Sequence, residues 1–418
     1  MQSPEQKGTL AQSLLQVNNL TYKLPPSLSI ATKRVLRNDF FQQNSYASGG
    51  EIMVLDCQSG NMFVDPHRSF LRFDVKTLGA QGAFGAGSGA NLFSRIIVRT
   101  RSGAEITRLE TANLITIFKN RYEKPLDWFS TIGEAQGYGE LAKSTGQGTC
   151  CAIRLSDLIP CFDPEGGVLL PPQMMQGLRI EIETASSALA LIGASVTSFQ
   201  INNPRIQFCN VQLGDAFARR IAEISASQGL SVIHREIFHT QVSSSANGQT
   251  AYNFDIKKAC SKALKCIVLS RSAAAPAANT DSLISTPWDY NSYQSRVGEL
   301  YHPQAPMSVT GLSAAATNAN VNRVAEAYQY TTQNWTLPGQ ANGVTLPAFG
   351  DGGTAAICFN YTTAGPLSGL SVNNSRAIVL DLQMDSAVNG VSYARRLDAY
   401  LQYLRLSTYF ISNATVKD

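Results

Sequence analysis

Phe70-Leu71-Arg72-Phe73-Asp74-Val75 places Leu71, Phe73 and Val75 at alternate positions, with Arg72 and Asp74 between them. Side chains of a strand point to opposite faces in turn, so this period of two reads as a half-buried β-strand with Leu71, Phe73 and Val75 towards a core. The same period returns at Tyr252, Phe254 and Ile256, separated by Asn253 and Asp255. Over residues 95–100, Ile96 and Val98 share one face and Ile97 takes the other. Short apolar runs at 52–55, 264–269 and 377–382, and longer extended stretches at 231–242 and 397–410, continue the pattern. In the last of these Leu404, Leu406, Thr408 and Phe410 fall on one face. The chain is predicted to be all-β.

Helix signals are few. Residues 108–118 group Leu114, Ile115 and Phe118 on one side, and residues 215–225 place Phe217, Ile221 and Ile224 at helical spacing behind Asp215 as N-cap. The second of these helices stands almost halfway along 418 residues, with strand signals before and after it. The organisation expected is an N-terminal arm at 1–37, a β-sandwich at 38–213, a linker helix at 214–229 and a second sandwich at 230–418. Within the second, residues 273–353 read as a long loop excursion, and so long a connection suggests an interface or a functional loop. The glycines at 79, 82, 85, 87 and 89 read as a flexible loop.

The two halves echo each other. Residues 151–155, Pro160 and residues 177–183 in the first correspond to residues 356–360, Pro366 and residues 377–382 in the second, offset by about 200 residues, the span of one large sandwich.

Composition narrows the function. Charged residues are 15% of the chain and the net charge is +4, too little clustered charge for a dedicated nucleic-acid binder. The arm carries Lys7, Lys23, Lys33, Arg34 and Arg37 against Glu5, so a weak contact with nucleic acid is the most it supports. The first ten residues are polar, and no apolar run reaches the ~18 residues of a membrane span, so neither a signal peptide nor a span is expected. Eight cysteines (57, 150, 151, 161, 209, 260, 266 and 358) contain no Cys-x-x-Cys pair and read as buried free thiols.

Sites for chemistry are wanting. Of His67, His234, His239 and His302, the middle two sit an odd number apart in an extended segment and so point to opposite faces, unable to share a metal. The stretch Gly85-Ala86-Gly87-Ser88-Gly89 lacks the following helix that a phosphate cradle needs. No Gly-x-Ser-x-Gly elbow occurs, and the carboxylates are dispersed. No catalytic, cofactor-binding or metal-binding residue is nominated, no cofactor is expected, and the protein is read as not an enzyme.

Several segments, in order, resemble a known family. Asp65-Pro66-His67-Arg68-Ser69-Phe70-Leu71-Arg72-Phe73 is similar to an early strand of the double-jelly-roll major capsid proteins of the virophage, polinton-like virus and adintovirus group. Asn91-Leu92-Phe93-Ser94-Arg95-Ile96 followed by Gly103, Ile106 and Asn113-Leu114 is similar to the next part of that family. Tyr293-Gln294, Val297-Gly298 and Tyr301-His302-Pro303-Gln304-Ala305-Pro306 resemble its Tyr-Gln and Tyr-Pro segment, and Ser368-Gly369-Leu370 with residues 377–382 and 398–410 resembles its ending. Phe70 stands where the family usually has Tyr, and the chain is shorter than most members.

The resemblance implies two tandem eight-stranded antiparallel jelly-roll β-sandwiches. It implies a major capsid protein that forms homotrimers of pseudo-hexagonal outline, which tile an icosahedral shell around a double-stranded DNA genome. Implied partners are the chain itself, neighbouring trimers, and minor capsid and penton proteins, with the arm beneath the shell in weak contact with DNA. Its place would be the virion, after synthesis in the host cytoplasm or nucleus. The alternative is a soluble carbohydrate- or receptor-binding β-sandwich, fibre- or lectin-like; a glycosidase on a β-scaffold would need paired carboxylates.

Overall fold

The computed structural model describes residues 31–58, 60–78, 83–84, 87–140, 149–186, 196–227, 229–244, 248–272, 290–308, 318–335, 356–362, 369–373, 376–384, 394–409 and 414–417. In the first half the sandwich strands are β1 (Ala31–Phe40), β2 (Ile52–Asp56), β3 (Phe63–Leu78), β4 (Phe93–Arg99), β5 (Glu105–Glu110), β6 (Thr149–Arg154), β7 (Arg179–Thr184) and β8 (Ser198–Leu213). They pair antiparallel in the orders β1-β8-β3-β6 and β2-β7-β4-β5, with the short strand Ser45–Ala47 added beside β8.

The second half repeats this plan. Its strands are β9 (Leu230–Ser243), β10 (Ala251–Ile256), β11 (Cys260–Ser272), β12 (Tyr290–Val297), β13 (Leu300–Ser308), β14 (Ile357–Asn360), β15 (Ile378–Met384) and β16 (Arg395–Tyr409). The sheets run β9-β16-β11-β14 and β10-β15-β12-β13. Counted from one in either half, both give 1-8-3-6 and 2-7-4-5. The chain crosses to the other sheet at every step except the hairpin between the fourth and fifth strands, and that winding is a jelly roll. The expected all-β fold of two tandem eight-stranded rolls is what the chain adopts, and the sequence echo falls on equivalent strands, β6 and β7 against β14 and β15.

Alternation explains the cores. Leu71, Phe73 and Val75 are buried on β3, and Phe73 meets Phe93 edge-on with ring centroids 5.5 Å apart. Ile96, Val98, Ile180 and Ile182 line the facing sheet. Tyr252, Phe254 and Ile256 point inward on β10, and Tyr293 meets Phe359 across the second roll. Each such side chain contributes about 1.5–3 kcal/mol of hydrophobic stabilisation. All eight cysteines are free, and all but Cys150 are buried.

Three expectations need correction. The arm expected at 1–37 is shorter, since β1 begins at Ala31 and pairs with β8 from Ala31↔Leu213 to Phe40↔Arg205. Its exposed residues at alternate positions (Arg34, Leu36, Asn38, Phe40) mix charge with apolar groups and hide the period of two. Residues 1–30 of the arm lie outside the described residues.

The excursion at 273–353 is not all loop, since it supplies β12, β13 and the 18-residue helix Asn318–Trp335. β12 buries Ser295 beside Tyr293 and Val297, so its inner face does not read as apolar. β13 carries Pro303 and Pro306, tolerable only because it is an edge strand. The helix buries Val324, Ala327 and Thr331, a sparse and partly polar stripe.

The third correction concerns the segments before β4 and after β5. We number the longer helices α1 (Ala112–Glu123), α2 (Asp215–Ser227) and α3 (Asn318–Trp335). Residues 108–110, expected in α1, extend β5 because Glu110 still pairs with Arg95; Thr111, at φ 50°, then turns the chain into the helix. Of the glycine run, residues 79–82 and 85–86 lie outside the described residues, while Ser88–Leu92 forms a buried 3-10 turn. A Cβ on Gly87 would stand 1.8 Å from Asn91 Oδ1 and 2.7 Å from Ile117 Cγ1, so this glycine serves close packing beneath α1.

Candidate assembly interface

The two rolls meet through unlike surfaces. From the first come β5, the start of α1 and the turns Pro160–Phe162 and Glu165–Gly167; from the second come β9 and β16. Arg405 of β16 donates from Nη1 to the Ile106 carbonyl at 2.6 Å and from Nη2 to the Glu105 carbonyl at 3.2 Å. A guanidinium thus caps the free edge of β5. The hydroxyls of Thr111 and Tyr400 lie 2.7 Å apart, Arg235 pairs with Glu165, and Pro164 forms a backbone bridge with His234.

Buried polar groups concentrate at this joint. Thr107 donates to Glu236 Oε2 at 2.8 Å, and His234 Nε2 lies 3.2 Å from the same oxygen, all three side chains being buried. Cys161 adjoins Thr107 and Glu236, and burial pushes its thiol up to about 12. A cysteine, a histidine and a glutamate near one another suggest a nucleophilic triad, but a fully buried thiol held protonated is a packing group. The register carried no hint of this meeting, since Thr107 and Glu236 are 129 residues apart.

A second polar cluster stiffens the second roll near the joint. Asp398 accepts from Arg271 Nε at 2.8 Å, lies 2.6 Å from Arg271 Nη2 and 2.8 Å from His239 Nε2, and has Arg396 Nε 3.5 Å away. Burial alone would raise the Asp398 carboxyl, but the His239 hydrogen bond and the charges of Arg271 and Arg396 outweigh it and hold it below the usual carboxylate range. The His239 ring also stacks on Tyr400, centroids 4.8 Å apart, which ties the cluster to the tyrosine that touches Thr111. His234 and His239 therefore serve separate carboxylates, as their odd spacing requires. Among the described residues no group of three or more potential metal ligands occurs, and no helix is long and apolar enough to cross a membrane.

Residues directly opposite on antiparallel strands share a face. On the outer face of the second roll, Tyr400, Ile267 and Cys358 line up across β16, β11 and β14, and all three are buried. Tyr400 faces Thr111 of the first roll, so the first roll covers this part of the sheet. The same strand order in the first roll sets Phe40, Arg205, Arg72 and Ala152 across β1, β8, β3 and β6, with Asn38, Gln207, Phe70 and Arg154 in the next row. Phe40 is 63% exposed and Leu36, further along β1, is 62% exposed. Among the described residues the rest of that face is half-buried, with Asn38 exposed beside Phe40.

The counterpart of the covering surface is open as well. β13 begins after a tight turn as β5 does, with Leu300 55% and Tyr301 45% exposed. Beside it lies a groove of about 420 Å³ lined by Val297, Leu300, Leu370 and Arg376, among others.

No family model matches the sequence, and neither does any curated protein. Solved structures do match. PBCV-1 VP54, as fitted into a reconstruction of the virophage Sputnik, superposes with a TM-score of 0.64 at 10% identity, over 95% of this chain and 99% of that one. The Faustovirus major capsid protein gives 0.56 at 9% identity, over 94% of each chain, and the mavirus major capsid protein 0.53 at 11%, over 95% of this chain and 92% of that one. At such identities the likeness is one of architecture, and it agrees with the strand order found in each half: the chain has the double-jelly-roll fold of viral major capsid proteins.

Proposed function

We propose that this chain is the major coat subunit of a virus, forming trimers that tile an icosahedral shell around a DNA genome. One observation carries the reading: the two rolls join head to tail, and among the described residues the strands equivalent to those at the joint meet no partner roll at either end of the pair. Unlike surfaces that repeat in one sense generate rings when the rotation closes. Three copies would supply six similar walls around one axis, a pseudo-hexagonal block that packs in a plane. The fold shared with the Faustovirus and mavirus major capsid proteins supports the same reading.

The role is structural rather than catalytic, and its place is the virion. Minor capsid and penton proteins would be the further partners, with the arm lying beneath the shell, near them or the genome. The division into rolls at 38–213 and 230–418 about a linker at 214–229 belongs to this proposal, with β1 extending the first roll back to Ala31.

Light scattering on the purified chain tests it. The expected mass is three times the 45.1 kDa protomer; a monomer at all concentrations would overturn the reading. Removing residues 1–30, which spares β1, is expected to leave the trimer intact and impair closure of shells seen by electron microscopy. Loss of the trimer would refute the arm's placement.

A further inference from the structure

Two adjacent rows on the outer sheet of the second roll differ in chemistry. Next to Tyr400, Ile267 and Cys358 stand Ile237, Gln402, Lys265 and Asn360, set opposite one another across β9, β16, β11 and β14. Arg235, two residues before Ile237 on β9, shares their face. Arg235, Gln402, Lys265 and Asn360 line a pocket of about 220 Å³, to which α3 adds Gln333 and the end of β14 adds Thr362. None of its described lining residues is a carboxylate.

The lining is rich in donors. Asn360 Oδ1 accepts from the Thr362 hydroxyl at 2.7 Å and from the Thr362 N–H at 3.1 Å, which sets the amide with its nitrogen, a donor, on the opposite side. Glu165 of the first roll engages Arg235 through Nε and Nη2, and Nη1 is the remaining donor of that guanidinium. Lys265 is pulled below its ordinary value, first by burial and then by the Arg235 charge, although Cys358 and Glu123 of α1 act the other way. Two half-buried cations thus share one site, and an anion between them would relieve both.

We propose that this pocket is an oxyanion site, taking one tetrahedral ion of the phosphate or sulfate class between Lys265, Arg235 and the Asn360 amide, with Gln402 and Gln333 completing the shell. The volume falls below the roughly 300–1,000 Å³ of pockets for drug-sized ligands, which suits a single ion rather than a nucleotide. A sugar would find amides here but no aromatic face among the described lining residues, and the two cations favour an anion. Because the walls come from the sheet and from α3, and Arg235 also holds Glu165, the ion would fasten α3 beside the joint between the rolls.

Titration calorimetry of the full chain with inorganic phosphate, against chloride at matched ionic strength, tests the site. The wild type is expected to bind one phosphate per chain, and its thermal midpoint to rise with phosphate in a saturable way. Lys265→Met keeps the stem and removes the charge, and should weaken binding on the order of tenfold or more; Lys265→Arg, which keeps the charge, should retain it. Asn360→Asp preserves the oxygen that Thr362 uses and sets a carboxylate against the ion, so binding should be lost while the circular dichroism spectrum is unchanged.

Absence of saturable phosphate binding to the wild type overturns the site, and so does binding that survives both Lys265→Met and Asn360→Asp. A phosphate-driven rise in midpoint that is equal in the wild type and these variants is exclusion of the salt from the whole surface, and overturns it as well. If one variant fails to fold, the other carries the comparison.

Discussion

The outer face of the second roll and that of the first are built on the same strand order, and their chemistry is opposite. Under the first roll, the second presents Tyr400, Ile267 and Cys358, with Asp398, Arg271 and His239 in a cluster buried nearby. The first roll presents half-buried Arg205, Arg72 and Arg154 beside exposed Phe40. A face covered as soon as the chain folds can be apolar, and can hold ionised groups provided their partners are built in. A face that must stay in water until another molecule arrives needs side chains with apolar stems and charged heads, and arginine supplies both. Covering, rather than fold, sets the composition of the sheet.

The sharpest way to break the comparison is to remove the charge that the covered face tolerates. Asp398→Ala would leave Arg271 and His239 buried without their carboxylate and is expected to cost about 3–5 kcal/mol, read as a lower denaturation midpoint. The pH dependence follows from the same geometry. Asp398 in the folded chain sits below its ordinary value, so its contribution is complete above the unfolded carboxylate pKa and is lost as pH falls through the folded one. The stability advantage of the wild type over Asp398→Asn should therefore be flat above about pH 5 and shrink below about pH 4.

A smaller effect is expected where the two rolls touch. Thr107→Val takes from Glu236 its hydroxyl donor and leaves a buried carboxylate oxygen with His234 alone, a cost of about 1–3 kcal/mol. Because Thr107 belongs to one roll and Glu236 to the other, a double-mutant cycle with Glu236→Gln should show coupling of about 1 kcal/mol. Additive losses would mean that the rolls are not joined through this bond.

What the sequence revealed follows the same division between covered and open. Strands buried on one side, such as β3, β4 and β10, announce themselves by alternation, because water on one face and core on the other impose a period of two. The edge strands β1 and β13 do not. Leu36 and Phe40 stand exposed on β1, and prolines 303 and 306 occupy β13, so neither carries the regular pattern. Helix α3 hid for a related reason, since Thr331 is buried by donating its hydroxyl to the Ala356 carbonyl at 3.1 Å rather than by being apolar. The joint was invisible because its partners lie 70 to 300 residues apart and meet only once both rolls are wound.

The least costly substitutions are those on the open face, and they sharpen the comparison most. Arg72→Ala or Arg205→Ala removes no salt bridge from the isolated chain, so stability should change by about 0.5 kcal/mol or less. Part of even that comes from lost packing of the side-chain stem. The same substitutions should weaken association of the copies, measured by sedimentation on the same samples. A residue that matters to the assembly and hardly at all to the fold separates the two roles; a large loss of stability on Arg72→Ala would instead mean that the open face is part of the folded core, and the contrast between the two sheets would fail.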